Sequence, residues 1–343
     1  MGNINTYKLP FLALILLLII CFMANISLGS VHIPLKDVFN SLIGLKTQQD
    51  SWQHIVLNYR LPKAITAILV GSGLGISGLL MQTLFRNPLA GPFVLGISSG
   101  ASLGVALVIL GSSLFGGILT TILISKWSIV IAASSGSFLV LLAVLITSLK
   151  VRDTMAILII GLMFASITAA IVSVLSYFGS AQQLQQYIFW GFGSLGNLSW
   201  NELLIFSLIY GLGIMVTIAS IKSLNTLLLG KNYAKSLGLN IKKSRLSIII
   251  STSLLAGTIT AFAGPIAFIG LAIPHLTRQI FNTSNHKILL PAVFLIGAIV
   301  LLICDSIAQI PNSDYTLPIN AITSLIGAPV VIWLLVRKRK MMF

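Results

Sequence analysis

The sequence predicts an all-α polytopic membrane protein with about ten transmembrane helices and both termini in the cytoplasm. Three observations carry that expectation. Only 8% of the 343 residues are charged and 57% are hydrophobic. A soluble domain carries roughly 25% charged residues; a chain this poor in charge cannot cover a surface facing water, so lipid is the solvent for most of it. Second, the apolar segments run from end to end, which argues for a single transmembrane domain over residues 1–343. Third, the basic residues are sorted. With ten spans and a cytoplasmic N-terminus, the inner side receives Lys8, Arg86, Lys150, Arg152, the six cations of 222–245, Arg278, Lys287 and the terminal Arg337 to Lys340. That is sixteen of the 21 basic residues, leaving Lys36, Lys46, Arg60, Lys63 and Lys126 outside. The bias is positive-inside, so the net charge of +15 reads as topology and implies no nucleic-acid partner.

The elements follow in order. Leu9 to Leu28 is apolar after a single Lys8 and reads as an uncleaved first span, the alternative being a signal peptide. Gly29 to Tyr59 reads as a polar loop. Ala64 to Phe85 holds no charged residue and is close to the ~20 residues a bilayer-crossing helix needs. Its Gly71, Gly75 and Gly78 fall at near-helical spacing on one face, where another helix can approach closely. Arg86-Asn87-Pro88 and Gly91-Pro92 turn the chain into a third span, Phe93 to Ile109. Gly111 to Lys126 reads as a Gly/Ser-rich turn. The next spans are Trp127 to Leu149 and Met155 to Phe178, then a loop from Ser180 to Asn201 without Lys or Arg, then Leu203 to Ile221. Leu246 to Ala263 is the seventh span. Ile266 to Ile280 is short and interrupted by Pro274, either a brief eighth helix or a re-entrant piece buried in protein. Removing it from the count moves the terminal cations outside, which favours ten spans. Ile288 to Ile303, an acidic Pro-rich loop around Asp305, Asp314 and Pro318, and Ile319 to Val336 complete the chain.

No apolar run carries an ionisable group near its middle; Asp305 comes closest, at a helix end. Ion-coupled transporters commonly place such groups at mid-membrane, so a secondary transporter working without an ATPase is the weaker alternative, and a non-transporting scaffold or receptor a third. His32, His54, His275 and His286 are scattered, and Cys21 and Cys304 lie in apolar runs, so neither a catalytic pair nor a metal or disulfide framework is indicated. Gly230-Lys231 lacks the rest of a phosphate-cradling loop. Any ATP used in transport is therefore held, with its Mg, on another chain, and no cofactor is expected on this one.

The soluble feature of interest is the basic loop of about 222–245. From Asn225 to Asn240, the residues Leu227, Leu228, Tyr233, Ala234 and Leu237 suit the apolar side of one or two short helices broken at Gly230 and Gly238. Such a loop is either a solvated amphipathic surface or a docking element for a cytoplasmic partner.

Several motifs occur in a telling order: Arg60-Leu61-Pro62-Lys63, the Gly-rich second span, Asn87 to Pro92 with Leu95-Gly96-Ile97-Ser98-Ser99-Gly100-Ala101, Leu237-Gly238, Phe268 to Arg278, Leu317-Pro318-Ile319 and Gly327-Ala328-Pro329. The pattern resembles the permease subunits of bacterial ABC importers for iron-siderophores, haem and cobalamin, from about Arg60 to Trp333. The resemblance implies a type II importer permease of the inner membrane. It implies a second permease copy around a central pathway, two cytoplasmic ATPase subunits and a periplasmic solute-binding protein. Asn225, Leu228, Gly230, Tyr233, Ala234, Leu237 and Gly238 match the ATPase-coupling region. Arg60 and Lys63 match the outer basic rim that meets acidic residues of the binding protein, interfacial anchoring being the alternative; Pro311 to Asp314 lacks the further cation the family often has there. Family analogy places the pathway along Ser166, Ala170, Ser173 and Tyr177, with Ala169 and Ser176 on the same small, weakly polar stripe; close helix packing explains such a stripe equally well. The aromatic-rich loop Gln182 to Asn197 is a candidate outer gate or an interfacial aromatic belt.

Overall fold

A computed structural model describes residues 5–111, 125–151, 154–310 and 315–336 of the chain. Most of the Gly/Ser-rich turn before Lys126, the Arg152-Asp153 step, the loop 311–314 with Asp314, and the terminal cations Arg337 to Lys340 lie outside the described residues. Among the described residues every extended element is helical, with one isolated antiparallel bridge from Gln309 to Thr316.

The helices are α1 (Asn5–Ser27), α2 (Leu35–Leu42), α3 (Asp50–Ile55), α4 (Leu61–Phe85), α5 (Ile97–Ile109), α6 (Lys126–Lys150), α7 (Thr154–Phe178), α8 (Ala181–Gly191), α9 (Trp200–Ala219), α10 (Ile221–Leu228), α11 (Lys231–Ser236), α12 (Ile241–Ala263), α13 (Ile269–Phe281), α14 (His286–Ala308) and α15 (Ile319–Val336). A π-helical turn, Val56–Arg60, leads into α4, and a 3₁₀ turn, Pro92–Leu95, precedes α5.

Among the described residues seven segments are long and apolar enough to cross a membrane: Tyr7–Ser27, Asp50–Phe85, Lys126–Thr147, Ala156–Phe178, Trp200–Ala219, Ile241–Ala263 and His286–Ala308. The other three expected spans are helices too, but shorter. The third begins only at Ile97, because Gly96 takes a left-handed φ of 75° and breaks the chain after the 3₁₀ turn. The eighth runs unbroken through Pro274 as the 13 residues of α13, about 20 Å at the α-helical rise.

Two expected loops contain helices. Within Gly29 to Tyr59 the chain forms α2, α3 and the π turn, and Val38 and Val56 are buried. After Phe178, Ser180 caps α8: its hydroxyl accepts from the Gln183 N–H, and the Gln183 side chain accepts from the Ser180 N–H. The Ser180-x-x-Gln183 spacing is the sequence signature of this capping box. Asp305 is likewise helical: α14 continues five residues past Ile303 and includes it.

The chain divides into two compact units. The first comprises Met1–Ile76, Ser194–Leu208 and Ile266–Met342; the second comprises Ser77–Gly193 and Ile209–Pro265. Two of the four boundaries fall inside α4 and α9, and the other two in the connections after α8 and α12.

In the first unit α1 packs on α14, and α13, α14 and α15 pack on one another. Gly71 of α4 faces Gly297 of α14 so closely that a Cβ on Gly71 would stand 2.2 Å from the Gly297 carbonyl oxygen. A Cβ on Gly75 would stand 3.0 Å from Val293 Cγ1 and 3.1 Å from Ile273 Cγ2, tighter than ordinary van der Waals contact. Two of the sequence motifs meet here as well: Gly327 lies against Phe268, and the Asn320 side chain accepts from the Ala267 N–H at 3.0 Å.

In the second unit α5 lies along α6 through another small-residue seam. A Cβ on Gly100 would come within 2.5 Å of the Gly136 carbonyl oxygen, and one on Gly104 within 2.0 Å of that of Ala132. Ala101, Val105, Ile109, Val130 and Ala133 form the apolar core beside that seam. Close backbone approach replaces the missing hydrophobic drive between helices in lipid.

Candidate functional site

Three regions were expected to carry function. The structure gives each a definite geometry.

The basic loop folds as α10 and α11, broken at Gly230 and ended at Gly238. Gly238 has φ 82° and nothing within 4 Å of where a Cβ would sit, so backbone conformation rather than space requires glycine there. Leu224 and Leu227 of α10 and Ala234 of α11 are buried and anchor the pair. Asn225, Leu228 and Gly230 are half-buried. Leu229, Tyr233 and Leu237 point away, 59%, 58% and 59% exposed. The expected apolar side is thus divided: one part fastens the helices to the chain, and the other faces outward among Lys231, Lys235 and Lys242.

At the other expected site, Arg60 ends the π turn and is buried. Its Nη1 donates to the carbonyls of Ile26 (3.0 Å) and Ser27 (2.9 Å), and its Nη2 donates to that of Val31. These carbonyls belong to the C-terminal turn of α1 and the segment after it, where a cation is favourable to the helix dipole. Gly29 makes room, since a Cβ there would lie 2.8 Å from Arg60 Nη2. Lys63, one turn into α4, pairs with Asp305 at 3.1 Å; its side chain is 20% exposed and that of Asp305 only 4%. The second carboxylate oxygen of Asp305 accepts from Asn25 Nδ2 (2.9 Å) and Gln309 Nε2 (2.8 Å). One buried carboxylate therefore joins α1, α4 and the end of α14. A cavity of about 330 Å³ opens beside it, lined by Gly29, Tyr59, Arg60, Lys63, Gln309 and Thr316 among others.

Arg60 and Lys63 are thus committed to partners within the chain. Arg60→Lys is expected to lower the stability of the purified chain by about 2 kcal/mol, because an ammonium cannot span three carbonyls as the guanidinium fork does. Thermal unfolding in detergent measures this, and an unchanged midpoint would remove the clamp.

The third region lies on α7. Ser166, Ala170, Ser173 and Tyr177 are all exposed, Tyr177 at 83%. The opposite side of α7 is the packed one, where Gly161 touches the backbone of Val94 and Leu95. Ser166 and Ser173 donate to the carbonyls four residues back, Leu162 (3.1 Å) and Ala169 (2.9 Å), so both hydroxyls are satisfied within the helix. Nearby, Tyr187 of α8 hydrogen-bonds Ser102 of α5 and stacks on Trp190.

The model of the FecCD transport family matches residues 17–337. The chain belongs to the FecCD transport family. It is 34% identical to the hemin transport system permease protein HmuU of Yersinia pestis, over 95% of each chain. It is 35% identical to the vitamin B12 import system permease protein BtuC of Klebsiella pneumoniae, over 95% of this chain and 93% of that one. A solved structure described as a metal-chelate type ABC transporter, in an inward-facing conformation, superposes with a TM-score of 0.83 at 31% identity, covering 96% of this chain and 100% of the other.

For this FecCD chain the order of the motifs points to the family correctly, and the all-helical fold with several membrane-length helices agrees with it. The motifs do not disclose Asn25, Asp305 and Gln309. Their only signal is a carboxylate near the end of an apolar run, without the partners that hold it. Among the described residues no group of His, Cys, Asp or Glu side chains is placed to hold a metal ion.

Proposed function

We propose that this chain is the membrane-spanning permease subunit of an ATP-driven importer. It moves an iron-chelate-type solute (a siderophore complex, haem or cobalamin) from a periplasmic binding protein to the cytoplasm by alternating access. In this reading it is one permease domain in the bacterial inner membrane, with ten crossings and both termini inside. Two copies enclose the pathway, whose walls include Ser166, Ala170, Ser173 and Tyr177. Two ATPase subunits, which hold ATP and Mg, engage α10 and α11; the chain itself needs no cofactor. The binding protein docks at the outer end formed by Lys63 and the cavity beside it, with Arg60 holding that end in shape.

The observation that carries the proposal is the outward face of α10–α11, on a chain of this family. Leu229, Tyr233 and Leu237 stand exposed on or directly after two short helices whose Leu224, Leu227 and Ala234 are buried beneath them. Large apolar side chains ringed by cations suit the centre of an interface with a soluble partner. Closure of the ATPases would then push on these helices, and their buried anchors would pass the push to the chain.

Reconstitution with the partner ATPase tests this. Tyr233→Asp with Leu237→Asp is expected to cut ATP-driven uptake at least tenfold, since two interface anchors of this size are worth about 2 kcal/mol each. Membrane insertion and thermal unfolding should be unchanged. Full coupled uptake by the double variant would overturn the coupling assignment. Uptake driven by an ion gradient without any ATPase would overturn the importer reading.

A further inference from the structure

We propose that the cavity framed by the end of α4, the α10–α11 pair and the start of α12 is a binding site for a phosphate-bearing anion. The cavity is about 460 Å³ and is lined by Thr83, Arg86, Leu227, Lys231, Ile241 and Arg245, with Leu84 and Phe85 behind them. Three cations from three separate elements meet at one hollow. Two adjoining hollows share its walls. One of about 690 Å³ again borders Arg86 and Lys231. The other, about 700 Å³, borders Lys231 and Arg245 and adds Lys235 and Lys242. Lys231 borders all three, and among the described residues none that lines them is acidic.

The backbone fixes this arrangement. Arg86 follows the last residue of α4 with a left-handed φ of 48°, unusual for a residue with a side chain. The turn is closed by the Asn87 N–H donating to Gln82 and the Arg86 N–H donating to Thr83. The Arg86 guanidinium leans toward the loop, with Nη2 donating to the Leu228 carbonyl at 3.5 Å. Lys231 opens α11 directly after Gly230. Arg245 is half-buried in the first turns of α12 and donates to the Val151 carbonyl at 3.4 Å. Like charges held together in a concave, partly apolar hollow repel one another and concentrate a positive field there. A phosphate relieves both: two guanidinium forks match its oxygens and the ammonium adds a point charge.

The source of that phosphate is suggested by depth. Arg86 directly follows an apolar span and Arg245 sits just inside the start of another, so the cavity lies where hydrocarbon gives way to headgroups. Basic pockets at that level on the cytoplasmic side take the phosphates of anionic lipids. A soluble phosphate or nucleotide offers the same chemistry. The lipid assignment rests on the proposed topology, but binding itself needs neither an ATPase nor a solute, so its failure is distinguishable from a failure of the transport reading.

The test uses the full chain, purified in mild detergent without partners. It is titrated in native mass spectrometry with dioleoylphosphatidylglycerol, with dioleoylphosphatidylcholine, and separately with inorganic phosphate and ATP. The expected result is at least tenfold tighter binding of phosphatidylglycerol than of phosphatidylcholine, with a tenfold loss in Arg86→Gln/Lys231→Gln. Saturable binding of phosphate or ATP that the same variant abolishes, without lipid preference, assigns the site to a soluble phosphate. If the double variant proves unstable, Lys231→Gln alone, at an exposed position, should weaken binding at least threefold. No preference for phosphatidylglycerol together with no binding of phosphate or ATP would overturn the proposal. So would binding that these substitutions leave unchanged.

Discussion

Replacing Asp305 by alanine is expected to cost the folded chain about 3–5 kcal/mol, the range found when one partner of a buried ion pair is removed. The loss is large because the carboxylate serves three donors at once. Without it the Lys63 ammonium and the Gln309 amide lose this buried acceptor, and the Asn25 amide is left with only the Leu302 carbonyl and the Ser306 hydroxyl. Each then bears part of its desolvation penalty. Lys63→Met/Asp305→Leu should recover most of the stability, since replacing both ions by apolar groups of similar volume is often neutral. Asp305→Asn should fall between the two: it can still bond Lys63 but lacks the charge. Thermal unfolding of the purified variants measures all three. An Asp305→Ala protein within about 1 kcal/mol of the native chain, less than one unmet buried donor costs, would show that the network does not hold α1, α4 and α14 together.

Gly71→Leu is expected to abolish accumulation of folded protein, with Gly71→Ala losing about 3 kcal/mol, the upper end of the usual overpacking range. The reason is what the new atoms meet. On Gly71 a Cβ would strike the Gly297 carbonyl oxygen at 2.2 Å, and on Gly297 it would strike that of Gly71 at 2.4 Å. Both obstacles are backbone, which cannot rotate out of the way as a side chain can, so the two helices must part along their length. Gly211→Ala is the control. It lies within α9 with nothing inside 4 Å of its Cβ position, and alanine should stabilise the helix there by about 0.5–1 kcal/mol. Equal tolerance at Gly71 and Gly211 in a melting assay would contradict the tight crossing.

These two sites differ in how much of them the sequence discloses. The glycine spacing at 71 and 75 announces a close helix approach by itself, because small residues on one helical face leave a local pattern. The long spans are legible for the same reason: their hydrophobicity is a run, and a run is local. The Asp305 network is not. Asn25, Lys63 and Asp305 are separated by dozens to hundreds of positions, and nothing in their immediate neighbours says that they meet. Arg60 and Lys63 illustrate the consequence. Read locally they form a basic step at a membrane edge; the carbonyls and the carboxylate of their own chain that both meet are legible only in the fold. The α10–α11 pair is an intermediate case. Its breaks at Gly230 and Gly238 and its short helices follow from the sequence, whereas the division of its leucines into buried and exposed sets depends on what lies beneath. The short helices α2 and α3 are hidden in the sequence because one or two turns leave too few repeats for a period to show.

The first compact unit is made from the two ends of the chain: Met1–Ile76 and Ile266–Met342, with one short middle segment. That has a consequence for biogenesis. A ribosome delivers α1 and the start of α4 long before α14 and α15 exist, so Asn25 and Lys63 enter the membrane without the carboxylate they will bind. The middle unit, nearly all made between these two deliveries, has its main helices together first and can consolidate while the early ones wait, contrary to the usual N-terminal-first order of synthesis. Loss of the last helices through a nonsense codon or proteolysis would therefore leave the earliest-made segments incomplete and exposed to quality control, while the middle of the protein remained intact.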